Sequence, residues 1–285
     1  MKKMQYQYMK FVFSKERGGI FGMTDLIIFS GQSNMQGQTE RLLGDTPIDG
    51  CAEYRFLTDS LVPLKNPCGE DIRYDGTEGF AFGTPGTENW HGQMALGSTV
   101  YGYTSLVPFF CDAYRKTAPH HPCVTAVHAA KGATQLAYWM PDSEGYPMLV
   151  RKAEAAIAKT GEINRRYMIW LQGESDAIAG VKKDEYKRSL REFAYSLKAR
   201  FSLDRFGIIR VGQFTMDERD FEIIRAQDEL CCEDDFFLML TTAALDFCTK
   251  EEYKHFMNPE AHGHYSAAGL CELGRLAGTA LGESV

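Results

Sequence analysis

The sequence has 285 residues, of which 44% are hydrophobic and 24% are charged, and its formal net charge is −7. These proportions are ordinary for a globular protein with an apolar core. A mildly acidic chain without a basic run is not expected to bind nucleic acid. No apolar run approaches the roughly 18 residues that a membrane-spanning helix needs, so we expect no membrane partner either.

The first 22 residues are predicted to form an extension ahead of the first strand. They begin with two lysines, but the residues that follow, MQYQYMKFVF, contain glutamines, tyrosines and another lysine where a signal peptide would have an apolar core. This pattern predicts a cytoplasmic protein. The eight cysteines include no C-x-x-C pair, so reduced thiols are expected and a zinc ribbon is not.

Short apolar runs alternate with amphipathic stretches along the chain. The runs are typical of strands buried on both faces of a sheet. They cover residues 25–29, 123–130, 166–172, 206–214 and 236–240. In the other stretches, apolar residues recur at three- and four-residue spacing, which is typical of helices. These stretches cover residues 105–116, 148–159, 183–201, 218–231 and 266–281.

The alternation of strands and helices predicts an α/β fold. We expect a three-layer α/β/α domain with a five-stranded, mostly parallel, flavodoxin-like sheet. No repeat and no second alternation is present, so residues 1–285 are predicted to form a single domain. Residues 38–103 are rich in Gly, Pro, Asp and Thr, and they predict a long loop insertion near the active site, with one hairpin at 52–65.

Polar residues follow or flank the predicted strands at the carboxyl edge of the sheet, where parallel α/β sheets bind ligands. Ser33 follows the first strand, and Gly102 precedes the second. Gln172 ends the third strand, and Glu174 comes two residues later. Three histidines follow the fifth strand: His255, His262 and His264. Convergence of a hydroxyl, an amide, a carboxylate and imidazoles on one edge predicts an active site.

The residue types at this edge indicate a nucleophilic mechanism. Gly31 permits a sharp turn after the first strand, and Ser33 at that turn can act as a nucleophile if an imidazole accepts its proton. The tetrahedral oxyanion then needs donors, namely backbone N–H groups and a side-chain amide. Gly102 and Gln172 are predicted to lie where they can supply them.

Four blocks of sequence carry a resemblance to a known superfamily. They are GQSNMQG (31–37), KGAT (131–134), WLQGESD (170–176) and HYSAAGLCELG (264–274). In this order they resemble the SGNH hydrolases, or GDSL-like esterases, and more narrowly the sialate O-acetylesterase and acetylxylan esterase branch. The resemblance implies a serine esterase that needs no metal or cofactor and acts on O-acetylated carbohydrates, of the sialic acid or xylo-oligosaccharide type. The expected cytoplasmic location favours small sugars over polymers.

The resemblance also implies individual roles. Ser33 would be the nucleophile and His264 the general base. The backbone N–H groups of Ser33 and Gly102 and the side chain of Gln172 would form the oxyanion hole. Glu174 would be a buried carboxylate that organises the serine loop, and Asp176 would cap the local turn.

The sequence departs from the family pattern before the late histidine. Relatives have an aspartate three residues ahead of it, and here that position is Ala261. Three replacements are possible for orienting the His264 ring: Glu260, Asp246 or a backbone carbonyl. Assignment to a different histidine is a fourth possibility.

Two alternatives come from other functional classes. The missing aspartate is also what a carbohydrate-binding relative without catalysis would show. The histidines at 255, 262 and 264, with Glu260, could instead bind a metal in a metal-dependent hydrolase, because E-x-H-x-H places side chains on one side of an extended segment. The sequence carries no signal for an oligomeric state.

Overall fold

The five apolar runs form five parallel strands in one sheet. The structure is a computed structural model that describes residues 23–40, 46–72, 79–81 and 104–285. The strands in this part of the chain are β1 (Thr24–Gly31), β2 (Cys51–Arg55), β3 (Ser60–Pro63), β4 (Glu70–Ile72), β5 (Gly79–Ala81), β6 (Cys123–Ala130), β7 (Arg166–Leu171), β8 (Arg205–Ile209) and β9 (Phe237–Thr241). The main sheet has the order β3-β2-β6-β1-β7-β8-β9, and β4 pairs with β5. The strands β1, β6, β7, β8 and β9 all pair in parallel, which confirms the predicted α/β class.

The main sheet has seven strands instead of the predicted five. The additional two, β2 and β3, form the antiparallel hairpin predicted within 52–65, which joins the main sheet. β2 pairs in parallel with β6, so that Cys51 lies beside Val124. This pairing satisfies backbone groups of β6 that would otherwise form an open edge. The sequence prediction missed it because the pattern within a hairpin does not specify which strand the hairpin will join.

The fourth predicted strand also ends early, at Ile209 instead of residue 214. The backbone N–H of Val211 donates to the side-chain Oε1 of Gln227 at 3.1 Å, not to a neighbouring strand. The chain after Ile209 therefore leaves the sheet and forms a loop at its carboxyl edge.

Helices cover both faces of the sheet. In the described chain they are α1 (Ser33–Gln36), α2 (Val107–Thr117), α3 (Gly145–Thr160), α4 (Glu174–Ala179), α5 (Lys183–Phe201), α6 (Glu218–Glu233), α7 (Ala243–Thr249) and α8 (Ala267–Glu283), with 3-10 helices at Leu136–Trp139 and Glu251–Phe256. Tyr167 and Trp170 lie three residues apart on β7 and so face opposite sides. Tyr167 packs against Tyr114 of α2 with ring centroids 5.9 Å apart, and Trp170 packs against Phe193 of α5 at 5.1 Å. This is the predicted three-layer arrangement.

A buried ion pair anchors the described part of the predicted insertion. Lys152 Nζ on α3 lies 2.7 Å from Glu70 Oε2 at the start of β4, and both side chains are buried. Glu70 also accepts the backbone N–H groups of Phe56 and Leu57, at 2.8 and 3.0 Å. Full hydrogen bonding of this kind is what offsets the cost of burying two charges. Residues 46–72 are therefore packed against the domain, whereas Gly102 and the predicted extension 1–22 lie outside the described residues.

All eight cysteines are free in the structure. Burial raises the pKa of the Cys51 and Cys231 thiols to about 12, so both are protonated at neutral pH. None of the helices in the described ranges is both long and apolar enough to cross a bilayer.

Candidate active site

Ser33 lies at the carboxyl edge of the sheet, where β1 turns into α1. Gly31 makes this turn possible, because its φ is +148° and a Cβ there would stand 2.0 Å from Leu171 O on β7. Only glycine fits both the backbone conformation and the close approach. Ser33 is the first residue of α1 and is 5% exposed, so its hydroxyl sits in a largely dehydrated site.

The structure brings His264 to Ser33 across 231 positions of sequence. His264 Nε2 lies 2.9 Å from Ser33 Oγ, and His264 Nδ1 lies 3.0 Å from the backbone oxygen of His262. A carbonyl oxygen can only accept, so Nδ1 carries the proton and Nε2 presents its lone pair to the serine hydroxyl. Ser33 and His264 are therefore arranged as a nucleophile and its general base.

The acceptor on the His264 ring is a backbone carbonyl and neither of the two predicted carboxylates. The Glu260 side chain is exposed. Asp246 lies on α7 and forms an ion pair with Lys250 at 2.9 Å. The structure thus corrects the supporting role predicted for Glu260, because the carbonyl of His262 occupies the only ring nitrogen that faces away from Ser33.

The other two histidines do not converge with His264 on a common point. His262 Nε2 donates to Phe214 O at 2.8 Å. The His255 ring is exposed and lies 4.0 Å from the ring of Phe256. Within the described ranges, no group of three or more His, Cys, Asp or Glu side chains is arranged to hold a metal. The histidine cluster of the metal-dependent alternative is therefore not assembled in this structure.

Burial lowers the pKa of His264 below its usual 6.5. The hydrogen bond to the His262 carbonyl acts in the opposite direction, and the nearby His262 ring lowers the pKa further. Because the charged imidazolium is disfavoured away from water, the neutral base is the major form at pH 6.5 and above.

We expect kcat/KM for an acetyl ester to rise with pH with an apparent midpoint below 6.5. Only the neutral ring accepts the serine proton, so activity is present above the depressed pKa and is lost as the pH falls through it. A pH profile from acidic to neutral pH measures this midpoint. In the control Glu260→Gln, the pH midpoint should not move, and kcat/KM should stay within about twofold of the unmodified protein. A midpoint above 6.5 that drops in Glu260→Gln would show that a carboxylate holds the ring.

Gln172 does not lie where the sequence predicted. Its side chain is fully buried, and Nε2 donates to Thr134 O at 2.9 Å and to the Asp176 carboxylate, with Gln32 Oε1 at 3.3 Å. Its Oε1 accepts the Tyr186 hydroxyl at 3.0 Å. Both amide hydrogens are engaged, so the structure does not support Gln172 as a donor to an oxyanion. The sequence motif does not reveal this, because the burial of the Gln172 amide depends on Tyr186 and Thr134, which lie in other segments of the chain.

The backbone N–H of Ser33 is a described donor on the nucleophilic residue itself. Among the described residues no acceptor lies on it, as expected for the first N–H groups of a helix. It therefore fits the predicted oxyanion role, and the N–H of Gly102 falls outside the described residues.

Asp176 caps a different turn from the predicted local one. Its Oδ2 accepts the backbone N–H of Leu136 at 2.9 Å, at the start of a 3-10 helix. Burial raises the pKa of Asp176 to about 6, because the charged form is costly away from water. Asp176 thus joins the segment after β6 to the segment after β7.

Glu174 is the buried carboxylate that the sequence predicted beside the serine loop. It is 3% exposed, and its Oε1 accepts Asn34 Nδ2 at 2.8 Å. Burial raises the pKa of Glu174, while the Asn34 hydrogen bond acts to lower it. Its Oε2 is buried and has no hydrogen-bond partner among the described residues. The sequence pattern indicates no role for Asn34 itself, although this residue directly follows Ser33.

The loop after β8 supports the histidine and was also missed. The Phe214 ring packs edge-on against His264, with ring centroids 6.0 Å apart. Asp220 is buried and accepts three successive backbone N–H groups, those of Phe214, Thr215 and Met216, at 2.8 to 3.1 Å. The only sequence signal for this support was Asp220 itself, an acidic residue in the first turn of the helix predicted at 218–231. Acidic residues at that position normally stabilise their own helix.

The chain matches the family described as "Carbohydrate esterase, sialic acid-specific acetylesterase" over residues 23–280. The chain belongs to this family. The predicted resemblance to the SGNH and GDSL-like hydrolases is thereby confirmed, and the protein is a carboxylic ester hydrolase by family.

Solved structures share the fold of this esterase at low sequence identity. A protein from Arabidopsis thaliana matches with 17% identity and a TM-score of 0.62, covering 91% of this chain and 98% of that chain. NanS matches with 16% identity and a TM-score of 0.59, covering 91% and 97%. The acetylxylan esterase Axe2 from Geobacillus stearothermophilus matches with 13% identity and a TM-score of 0.50, covering 92% and 95%. No curated protein sequence matches the esterase.

Proposed function

We propose that this esterase removes acetyl groups from O-acetylated carbohydrates through a covalent acyl-enzyme. The observation that carries the proposal is the 2.9 Å contact between Ser33 Oγ and His264 Nε2, with the ring held in the required tautomer by the His262 carbonyl. A carbohydrate-binding relative without catalysis has no use for a buried serine and imidazole in proton-transfer contact. Membership of a carbohydrate esterase family supports the same class of reaction.

In the acylation step, Ser33 Oγ attacks the acetyl carbonyl while His264 Nε2 accepts the hydroxyl proton. The carbonyl oxygen becomes an oxyanion, which the Ser33 N–H stabilises, and Gly102 N–H is the second predicted donor. The C–O bond to the sugar then breaks, and the imidazolium returns its proton to the departing sugar hydroxyl. This leaves acetyl-Ser33 and a neutral ring.

In the deacylation step, water attacks the acetyl group of acetyl-Ser33, and His264 accepts a proton from it. Collapse of the second tetrahedral intermediate releases acetic acid and restores the Ser33 hydroxyl with the proton from His264. The two steps together consume one ester and one water and yield one sugar alcohol and one acetic acid. The His262 carbonyl holds the ring throughout, but it carries no full negative charge to stabilise the imidazolium.

The substrate class that the family description favours is an O-acetylated sialic acid. Acetylated xylo-oligosaccharides are the second candidate, supported by the shared fold with an acetylxylan esterase. A cytoplasmic location is part of the proposal, and it favours small sugars over polymers.

Acetate release from a panel of acetylated sugars tests the proposal. We expect the unmodified esterase to release acetate from O-acetylated sialic acid with a higher kcat/KM than from acetylated xylo-oligosaccharides. The reverse order would assign the xylan-type substrate. No release from any acetylated sugar, together with turnover of long-chain acyl esters, would replace the carbohydrate substrate by a lipid-type one.

A further inference from the structure

We propose that Asn34 is a positioning residue that fixes the His264 loop against the serine turn. Its side chain sets where the base stands relative to the nucleophile, while the His262 carbonyl sets the tautomer of the ring. The inference rests on the proposed function, since it concerns the alignment of the same base and nucleophile.

The side chain of Asn34 contacts the backbone on both sides of His264. Its Nδ2 donates to Gly263 O at 3.2 Å, and its Oδ1 accepts the backbone N–H of Tyr265 at 3.2 Å. Nδ2 also donates to Glu174 Oε1 at 2.8 Å. The peptide groups on either side of the catalytic base are thus bound to the residue that directly follows the nucleophile.

The location of the ring's own acceptor gives these contacts their importance. The acceptor on the His264 ring is His262 O, which belongs to the same loop and lies only two residues away. That carbonyl can orient the ring within its loop, but it moves with the loop and cannot set the distance from Nε2 to Ser33 Oγ. The distance has to be fixed by contacts between the loop and the serine turn, and Asn34 provides two hydrogen bonds at that place, to Gly263 O and from Tyr265 N–H.

Glu174 keeps the Asn34 amide in one orientation. Asn34 is 2% exposed, and its amide nitrogen faces two acceptors while its oxygen faces a donor, so a flipped amide would lose all three hydrogen bonds. Removing Asn34 therefore leaves a buried carboxylate, a carbonyl and an N–H without their partners.

The first test compares Asn34→Ala with the unmodified esterase. We expect kcat for an acetyl ester to fall about 10- to 100-fold per folded molecule with KM little changed, because misplacement of a catalytic group costs rate and not ground-state binding. The rate at which a fluorophosphonate labels Ser33 should fall by a similar factor. This second readout needs no sugar substrate.

A matched control separates positioning from stability. Asn164 Nδ2 donates to Asp25 Oδ1 at 3.0 Å at the opposite, amino edge of the sheet. Asn164 is exposed, so Asn164→Ala removes an amide–carboxylate hydrogen bond far from the site, and it should leave labelling and kcat per folded molecule within about twofold.

Rescue provides a second variant that does not depend on the folding of Asn34→Ala. In Asn34→Asp, two acidic groups face each other, and we expect slow labelling. Adding Glu174→Gln restores an amide–carboxylate hydrogen bond in the reverse direction and keeps the acceptor for Tyr265 N–H, although the donor to Gly263 O stays lost and full recovery is not expected. The double variant should label at least about tenfold faster than Asn34→Asp alone.

Labelling of Asn34→Ala at the unmodified rate, or equal labelling of Asn34→Asp with and without Glu174→Gln, would overturn the inference. The proposed function fails differently: the unmodified esterase would then neither hydrolyse acetyl esters nor be labelled at Ser33. Normal turnover by the unmodified protein with an unaffected Asn34→Ala removes only the positioning role.

Discussion

Replacing Ser33 by alanine is expected to lower kcat for acetyl ester hydrolysis by about 10⁴- to 10⁶-fold. The variant lacks the atom that forms the acyl-enzyme, and a nearby imidazole alone activates water poorly. The fold should persist, because the hydroxyl makes one described side-chain hydrogen bond, to His264. Release of acetate from a chromogenic or sugar acetate, measured on protein of equal Tm, checks the prediction.

Ser30, which lies on β1 three residues before Ser33, offers a matched control. Its side chain is fully buried, and its Oγ has no hydrogen-bond partner among the described residues. Ser30→Ala therefore removes the same atom without a catalytic contact, and kcat should stay within about twofold. Retained activity in Ser33→Ala would place the nucleophile elsewhere and end the acyl-serine mechanism.

Replacing Gly31 by alanine is expected to lower the free energy of unfolding by about 4 kcal/mol or more. The new methyl group would overlap Leu171 O at 2.0 Å, and the φ of +148° is one that alanine does not adopt without strain. Relief requires β1 and β7 to separate at the edge where Ser33 sits. Urea denaturation followed by tryptophan fluorescence measures the loss, since Trp170 lies on β7.

Gly180→Ala separates backbone strain from steric overlap, the two causes of the loss expected for Gly31→Ala. Its φ is +75°, but a Cβ there would meet nothing within 4 Å. Gly180→Ala should therefore cost only the conformational term, about 1–2 kcal/mol. Similar losses in the free energy of unfolding for both variants would mean that the close approach of Gly31 to β7 does not contribute to the effect of Gly31→Ala.

A Ser–His pair oriented by a backbone carbonyl has a consequence for the whole carboxyl edge. The ring orientation is set inside the loop, so the loop itself has to be held, and several elements do so. His262 bonds to Phe214 O, and Glu40 Oε1 accepts the N–H of Ala267 at 2.7 Å at the start of α8. The absence of the family aspartate at position 261 is thus accompanied by hydrogen bonds that tie the His264 loop to the loop after β8 and to the segment after α1.

Much of the fold was predictable because its signals are local. A buried strand needs a run of apolar residues, and a helix needs them at three- and four-residue spacing, so the five core strands and the main helices were readable in order. The glycine before Ser33 was readable for the same reason, since a sharp turn requires it. Once the strands were parallel, their carboxyl ends had to meet, which brought Ser33 and His264 to one edge.

Other features are decided by contacts between distant segments. The pairing of β2 with β6 and the engagement of the Gln172 amide by Thr134 and Asp176 depend on where separate elements dock. The acceptor on His264 is a backbone carbonyl. Because every residue carries this group, no residue type in the sequence can predict which carbonyl it is. Sequence alone therefore determined which side chains could perform the chemistry. Only the tertiary structure decided how they are held, because hydrogen-bond partners are chosen by distance in space and not along the chain.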